Sequence, residues 1–187
     1  MQALIFHGTC DKEEYYSSKY PSASNSHWLP WLQKHLLANN IHTHTPEVLD
    51  SWNPSFDKYA DEINRFTVDE ETILVGHSCG AGFLVRWLSE TKTKVKLLVL
   101  VAPWLDPQRE KTDDFFDFEI DVKDKAEKII IIYSTDDDKD ILDSVKLIKE
   151  KALTKDLVFK QHGHFTQDDM KSVEFPELLK TILDNIH

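Results

Sequence analysis

The sequence predicts an α/β fold, a three-layer α/β/α sandwich built on a mostly parallel sheet. Three observations carry that expectation. Short apolar runs alternate with amphipathic stretches along the whole chain. The runs, such as Ile73-Leu74-Val75 and Val95 to Ala102, are apolar at successive positions, as strands buried on both faces must be. The chemically distinctive residues follow such runs: His7-Gly8, Ser78, Asp136 to Asp138 and His164. Parallel sheets place their sites at those strand ends. With 187 residues, no internal repeat and no low-complexity segment, the chain suits a single domain spanning 1–187.

Each element has its own warrant. Gln2 to Phe6 is the first strand, with Ala3-Leu-Ile-Phe6 as its apolar part. Residues 9–27 are polar, carry Tyr15, Tyr16, Tyr20 and Pro21, and read as a long loop of the kind that serves function. Trp28 to Asn40 is a helix: Leu29, Leu32 and Leu36 share a face, Pro30 fits the first turn, and Asn39-Asn40 stops it. Ile41 to Thr45 is a second strand, and 46–54 a loop. Ser55 caps the next helix, in which Phe56, Tyr59, Ala60, Ile63 and Phe66 recur at helical spacing. Ile73 to Val75 is the third strand, followed by a helix with Ala81, Leu84, Val85 and Leu88 on one face. Val95 to Ala102 is the fourth strand, closed by Pro103. From Trp104 to Lys125 acids (Asp106, Glu110, Asp113, Asp114, Asp117, Glu119, Asp121) crowd among Trp104, Phe115, Phe116 and Phe118 without a period, which reads as an excursion over the sheet edge. Ile129 to Tyr133 is a strand, 134–138 its turn, and Ile141, Val145 and Ile148 mark a helix. Leu157 to Lys160 is the last strand, 161–165 a loop, and Phe175, Leu178, Leu179, Ile182, Leu183 and Ile186 make an amphipathic terminal helix.

Composition narrows the function. The chain is 41% hydrophobic with ten Phe and five Trp, and its net charge is −11. Such a surface repels nucleic acid and anionic membrane, so neither is an expected partner. Cys10 and Cys79 show neither zinc spacing nor a disulfide framework. The chain opens directly on a strand, without the charged and apolar regions of a signal peptide, and carries no apolar run long enough to span a bilayer. The expected location is therefore the cytoplasm.

The chemistry centres on Thr72-Ile-Leu-Val-Gly-His-Ser-Cys-Gly-Ala81. Gly76-His-Ser-Cys-Gly80 fits G-x-S-x-G, and its context is the one that motif requires: an apolar strand before it and an amphipathic helix after it. Ser78 would stand at the tip of a strained strand-to-helix turn, at a helix N-terminus whose N–H groups favour negative charge. A serine hydroxyl needs a base, and the base needs an acid to fix its tautomer. His162 and His164 are both candidates for the base, and Asp136, Asp137 and Asp138 for the acid. The chain order Ser, Asp, His is that of the α/β-hydrolase fold. Backbone N–H groups of Cys79 and Thr9 are the expected oxyanion donors. His7 either packs at its strand end or shapes the site. Cys79 reads as a small packing residue, although a redox role for Cys10 and Cys79 is a third reading. Tyr15, Trp28, Trp104 and Phe115, together with His7, are candidates to line a substrate pocket. His162 with His164, or His42 with His44, lacks further ligands for a metal, so no metal or cofactor is expected.

These residues resemble a known family. The motifs Gly76-His-Ser-Cys-Gly80, Ser134-Thr-Asp-Asp137 and Gly163-His-Phe165, with the Trp28-to-Leu36 helix and the Trp52-to-Ile63 segment, are similar to the small serine hydrolases related to retinoblastoma-binding protein 9. The resemblance covers nearly the whole chain. It implies a minimal α/β-hydrolase without a large cap domain, and esterase- or aminopeptidase-like cleavage of small esters or amides. Carried over by motif, it implies Ser78 as nucleophile, His164 as base and Asp137 as acid. The chain departs from the family in having Asp138 where a proline usually follows the acid, and Thr9-Cys-Asp-Lys where a glycine-rich run is usual. The competing expectation is a non-catalytic binding module on a hydrolase scaffold, whose protein partner the sequence does not name.

Overall fold

Every pairing in the sheet of the computed structural model is parallel. The structure describes all residues except 110, 113 and 187, so Glu110 and Asp113 of the acidic stretch lie outside the described residues. The strands are β1 (Gln2–Phe6), β2 (His42–His44), β3 (Thr72–His77), β4 (Val95–Val101), β5 (Ala126–Ser134) and β6 (Lys155–Phe159). Their spatial order is β2-β1-β3-β4-β5-β6. The register aligns Phe6 with Gly76 and His77 with Val101. The ends of β1, β3 and β4 therefore lie side by side.

The helices are α1 (Lys12–Tyr16), α2 (Leu29–Ala38), α3 (Phe56–Ile63), α4 (Cys79–Glu90), α5 (Lys139–Lys151), α6 (Gln167–Met170) and α7 (Pro176–Leu183). Strand side chains alternate between two cores. Leu4, Phe6, Leu74, Leu98, Leu100 and Ile131 pack with α3, α4 and the Val145–Ile148 part of α5. Ala3, Ile5, Ile73, Val75, Val99 and Ile132 pack with α2 and α7. The chain steps leftward once, from β1 to β2, and rightward thereafter. Right-handed crossovers then put α2 on the face opposite to α3, α4 and α5. The order reverses between β1 and β3, the crevice where such sheets bind ligands. Among the described residues no helix is long and apolar enough to cross a membrane.

Three expectations need correction. The 9–27 stretch is not wholly irregular: it holds α1 and a short 3₁₀ turn at Ala23–Asn25. Ser55 occupies the N-cap of α3, but its side chain makes no capping hydrogen bond. The 104–125 excursion does not pass over the sheet edge. It joins two adjacent interior strands, β4 and β5, and lies on the helical layer, with Phe115, Phe116 and Val122 sealed into the α3–α4 core. Arg86 of α4 anchors it, donating to the carbonyls of Asp114 and Phe115 at 2.8 Å each.

Candidate active site

β3 hands over to α4 through one residue. Ser78 has φ 54° and ψ −121°, a strained backbone for a residue with a side chain. The surroundings hold it there. Its N–H donates to Val101 O at 2.9 Å, and its carbonyl accepts from Ala81, Gly82 and Trp104 N–H at 3.0, 3.1 and 3.2 Å. The elbow closes only because α4 passes tightly over β1. A Cβ on Gly80 would lie 2.3 Å from His7 O, and one on Gly76 2.4 Å from Ala81 Cα. Ser78 is 8% exposed, and the backbone of Gly8 lies directly against it.

His164 reaches Ser78 from the loop after β6. Its Nε2 is 2.8 Å from Ser78 Oγ, and its Nδ1 is 3.1 Å from each Asp137 carboxylate oxygen. An Nδ1–H donating to Asp137 leaves Nε2 free to accept from the serine hydroxyl, the tautomer that a general base requires. The Asp137 side chain is 2% exposed and that of His164 is 31% exposed. The carboxylate is thus held out of water while the imidazole faces the cleft.

The structure separates the three consecutive aspartates. Asp137 also accepts the Asp138 N–H at 2.7 Å, which orients its carboxylate. Asp136 accepts from the Ser134 hydroxyl and from Gly163 N–H, and the Ser134 hydrogen bond holds its carboxyl below the usual range. Asp138 is the N-cap residue of α5 and its carbonyl starts the helix. The two histidines separate as well. His162 packs its ring on Phe159 at 4.3 Å, and its Nδ1 is buried without a hydrogen-bond partner.

With that geometry on the page, comparison with known proteins decides the family. The profile of the family described as Serine hydrolase matches residues 19–180. The chain belongs to the serine hydrolase family. The protein YdeN of Bacillus subtilis (strain 168) is 27% identical over 169 residues, covering 84% of this chain and 88% of YdeN. The crystal structure of the B. subtilis ydeN gene product superposes with a TM-score of 0.80 at 23% identity, over 98% of this chain and 97% of that one. Alpha/beta hydrolase domain-containing protein 10 from mouse gives a TM-score of 0.64 at 13% identity, over 97% of this chain and 88% of that one. These neighbours share the α/β-hydrolase fold, here in a form without a large cap.

In this serine hydrolase two hollows flank Ser78 and His164. The larger, about 400 Å³, is walled by His7, Gly8, Thr9, Glu14, His27 and Asp168 among others. The smaller, about 200 Å³, lies toward Trp104, Lys111 and Ile141. Thr9 lines both, and Cys79 is the first residue of α4, whose N–H has no carbonyl one turn earlier in the helix. Of the residues expected in the pocket, His7 and Trp104 line these hollows. Tyr15 lines an adjoining hollow of about 280 Å³ and accepts Asp50 N–H at 3.0 Å through its hydroxyl. Trp28 and Phe115 do not line the site. Trp28 is fully buried, edge-on to His77 and Phe175, and Phe115 packs edge-on to Tyr59. Apolar bulk that close to the sheet is drawn into the core before it can line a cavity.

His7 serves structure as well as lining. Its Nδ1–H donates to Gly8 O at 2.7 Å and its Nε2 accepts Val48 N–H at 2.9 Å, so the ring is neutral, and burial pushes its pKa below the ordinary value. Cys79 is wholly buried and its thiol is pushed up to about 12 by burial, which leaves no thiolate for redox chemistry. Cys10 is half-buried, and burial raises its pKa as well.

Two features escaped the sequence reading. Helix α6 begins with a capping box in which Thr166 and Asp169 satisfy each other's backbone, and Asp169 also accepts His164 N–H at 3.0 Å. The Thr-x-x-Asp pattern at 166–169 was its available signal. The other is His77, which carries no spacing signal of its own. Its Nε2–H donates to His164 O at 2.8 Å.

Proposed function

We propose that this chain hydrolyses small ester or amide substrates through Ser78, His164 and Asp137, by way of an acyl-enzyme. The observation that supports it best is the 2.8 Å approach of His164 Nε2 to Ser78 Oγ at a strained elbow. In this reading His164 takes the hydroxyl proton as Oγ attacks the substrate carbonyl. The N–H groups of Cys79 and Thr9 face the oxygen as it becomes anionic. Asp137 stabilises the imidazolium, which then protonates the leaving group. Water, activated by the same histidine, releases the acid. The chain acts as a single catalytic domain on a small molecule in the cytoplasm, with no nucleic acid, membrane, metal or cofactor in the reaction. Its motifs also support kinship with the small serine hydrolases related to retinoblastoma-binding protein 9, with esterase- or aminopeptidase-like activity.

A fluorophosphonate probe tests this. Wild type should be labelled, and Ser78→Ala and His164→Ala should lose labelling and ester turnover by on the order of 10³-fold or more. Folded wild type that neither labels nor turns over a panel of small esters and aminoacyl amides would instead favour a binding module.

A further inference from the structure

We propose that His77 is a positioning residue, whose ring N–H, donated to the backbone carbonyl of His164, fixes the base to the strand that carries the nucleophile. The inference rests on the hydrolase reading above. His77 is the last residue of β3 and immediately precedes Ser78. Its Nε2 lies 2.8 Å from His164 O, and the two rings stand 5.2 Å apart between centroids. The side chain is 3% exposed and is bordered edge-on by His27 and Trp28, each 5.7 Å away.

The rest of the His164 loop is tied elsewhere. His162 N–H donates to Ser134 Oγ at 3.1 Å and Gly163 N–H to Asp136 at 3.2 Å, both at the end of β5. His164 N–H donates to Asp169 in α6 at 3.0 Å. These bonds hold the loop to β5 and α6, and none of them reaches β3. The bond from His77 does. It also differs from the Ser78–His164 side-chain bond in a way that matters for turnover. Once Ser78 Oγ is acylated, its proton is gone and it no longer donates to His164. The His77 bond uses no reacting atom and survives that step, so the base stays in place to activate water. A displacement of the base by about 1 Å is enough to cost on the order of 10²-fold in rate.

A neutral ring suits this task. Burial, with His164 and His27 nearby, pushes the His77 pKa well below its ordinary value. The imidazolium formed on His164 then has no second cation against it. The carboxylates that face this group of histidines are Asp137, on His164 Nδ1, and Asp168 and Asp169, close to His27, while Glu14 lines the same hollow.

Two substitutions and one measurement on the native protein test the proposal. His77→Phe keeps the ring volume and removes the donor, and His77→Gln keeps an N–H at similar reach. In folded protein, His77→Phe should slow probe labelling and kcat by about 10- to 100-fold with KM within about threefold. His77→Gln should recover to within about fivefold of wild type. A His77→Phe variant with wild-type rates, or a His77→Gln variant no faster than it, overturns the proposal. Should either variant fail to fold, nitrogen-15 NMR of the wild-type histidine rings decides. His77 must carry its proton on Nε2 and keep it across the pH range of activity, and an Nδ1–H tautomer overturns the proposal. A wild type inert toward the probe and toward esters removes the hydrolase reading and this role with it. An active wild type beside an unimpaired His77→Phe removes the role alone.

Discussion

Asp136, Asp137 and Asp138 are adjacent in sequence, yet one ties down a loop, one faces a histidine and one opens a helix. Under the proposed chemistry, Asp137→Asn should lower the probe-labelling rate by on the order of 10³- to 10⁴-fold, because an amide favours the wrong histidine tautomer. Asp138→Asn should stay within about threefold, since the backbone carbonyl of residue 138 starts the helix and its side chain makes no capping hydrogen bond. Labelling rates of the two variants, measured side by side, check the assignment. The residues themselves did not single out Asp137. Successive side chains of a tight turn diverge, and their directions depend on a backbone that the sequence does not spell out. Motif resemblance favoured it, and the geometry places its carboxylate on His164. Trp28 and Phe115 misled for a related reason, because an aromatic side chain has the same sequence signature in a core as in a pocket.

At the scale of elements, the elbow is a tightly constrained join. Gly80→Ala would drive a methyl group into the His7 and Phe6 carbonyls, at 2.3 and 2.6 Å. Neither can yield without shifting β1 against α4. The substitution should cost about 3 kcal/mol or prevent folding, read as a lowered denaturant midpoint. This element was legible beforehand because two signals met in it, an apolar strand and a spaced small-residue motif. The long helices were legible from their periodicity. Helix α6 was not, because four residues are too few to establish a period. Its capping box is a local signal, and it was the only kind available there. The β4–β5 excursion gave no period either, since its structure depends on contacts such as those of Arg86 with distant carbonyls.

At the scale of the whole molecule, buried histidines set the response to acid. His7 and His77 are both held neutral, with pKa values pushed below the ordinary value of about 6.5, burial being the main cause. Below that pH the unfolded chain binds protons that the native protein refuses. Stability should therefore be complete above about pH 7 and fall as pH drops through 6.5, at up to about 1.4 kcal/mol per pH unit for each residue. Thermal melts from pH 8 to 5 check this, and His77→Gln should flatten the slope. The sheet itself was largely readable from alternation and apolar runs, whereas the cavity walls were not, because they are assembled from segments far apart in sequence. That separation also governs what a partial chain would hold. Ser78 follows an interior strand flanked by β1 and β4, while His164 lies 86 residues further along the chain, in the loop after β6. A chain cut short of residue 164 would carry Ser78 without the imidazole that meets its hydroxyl in the fold, and under the proposed chemistry its serine would be inert.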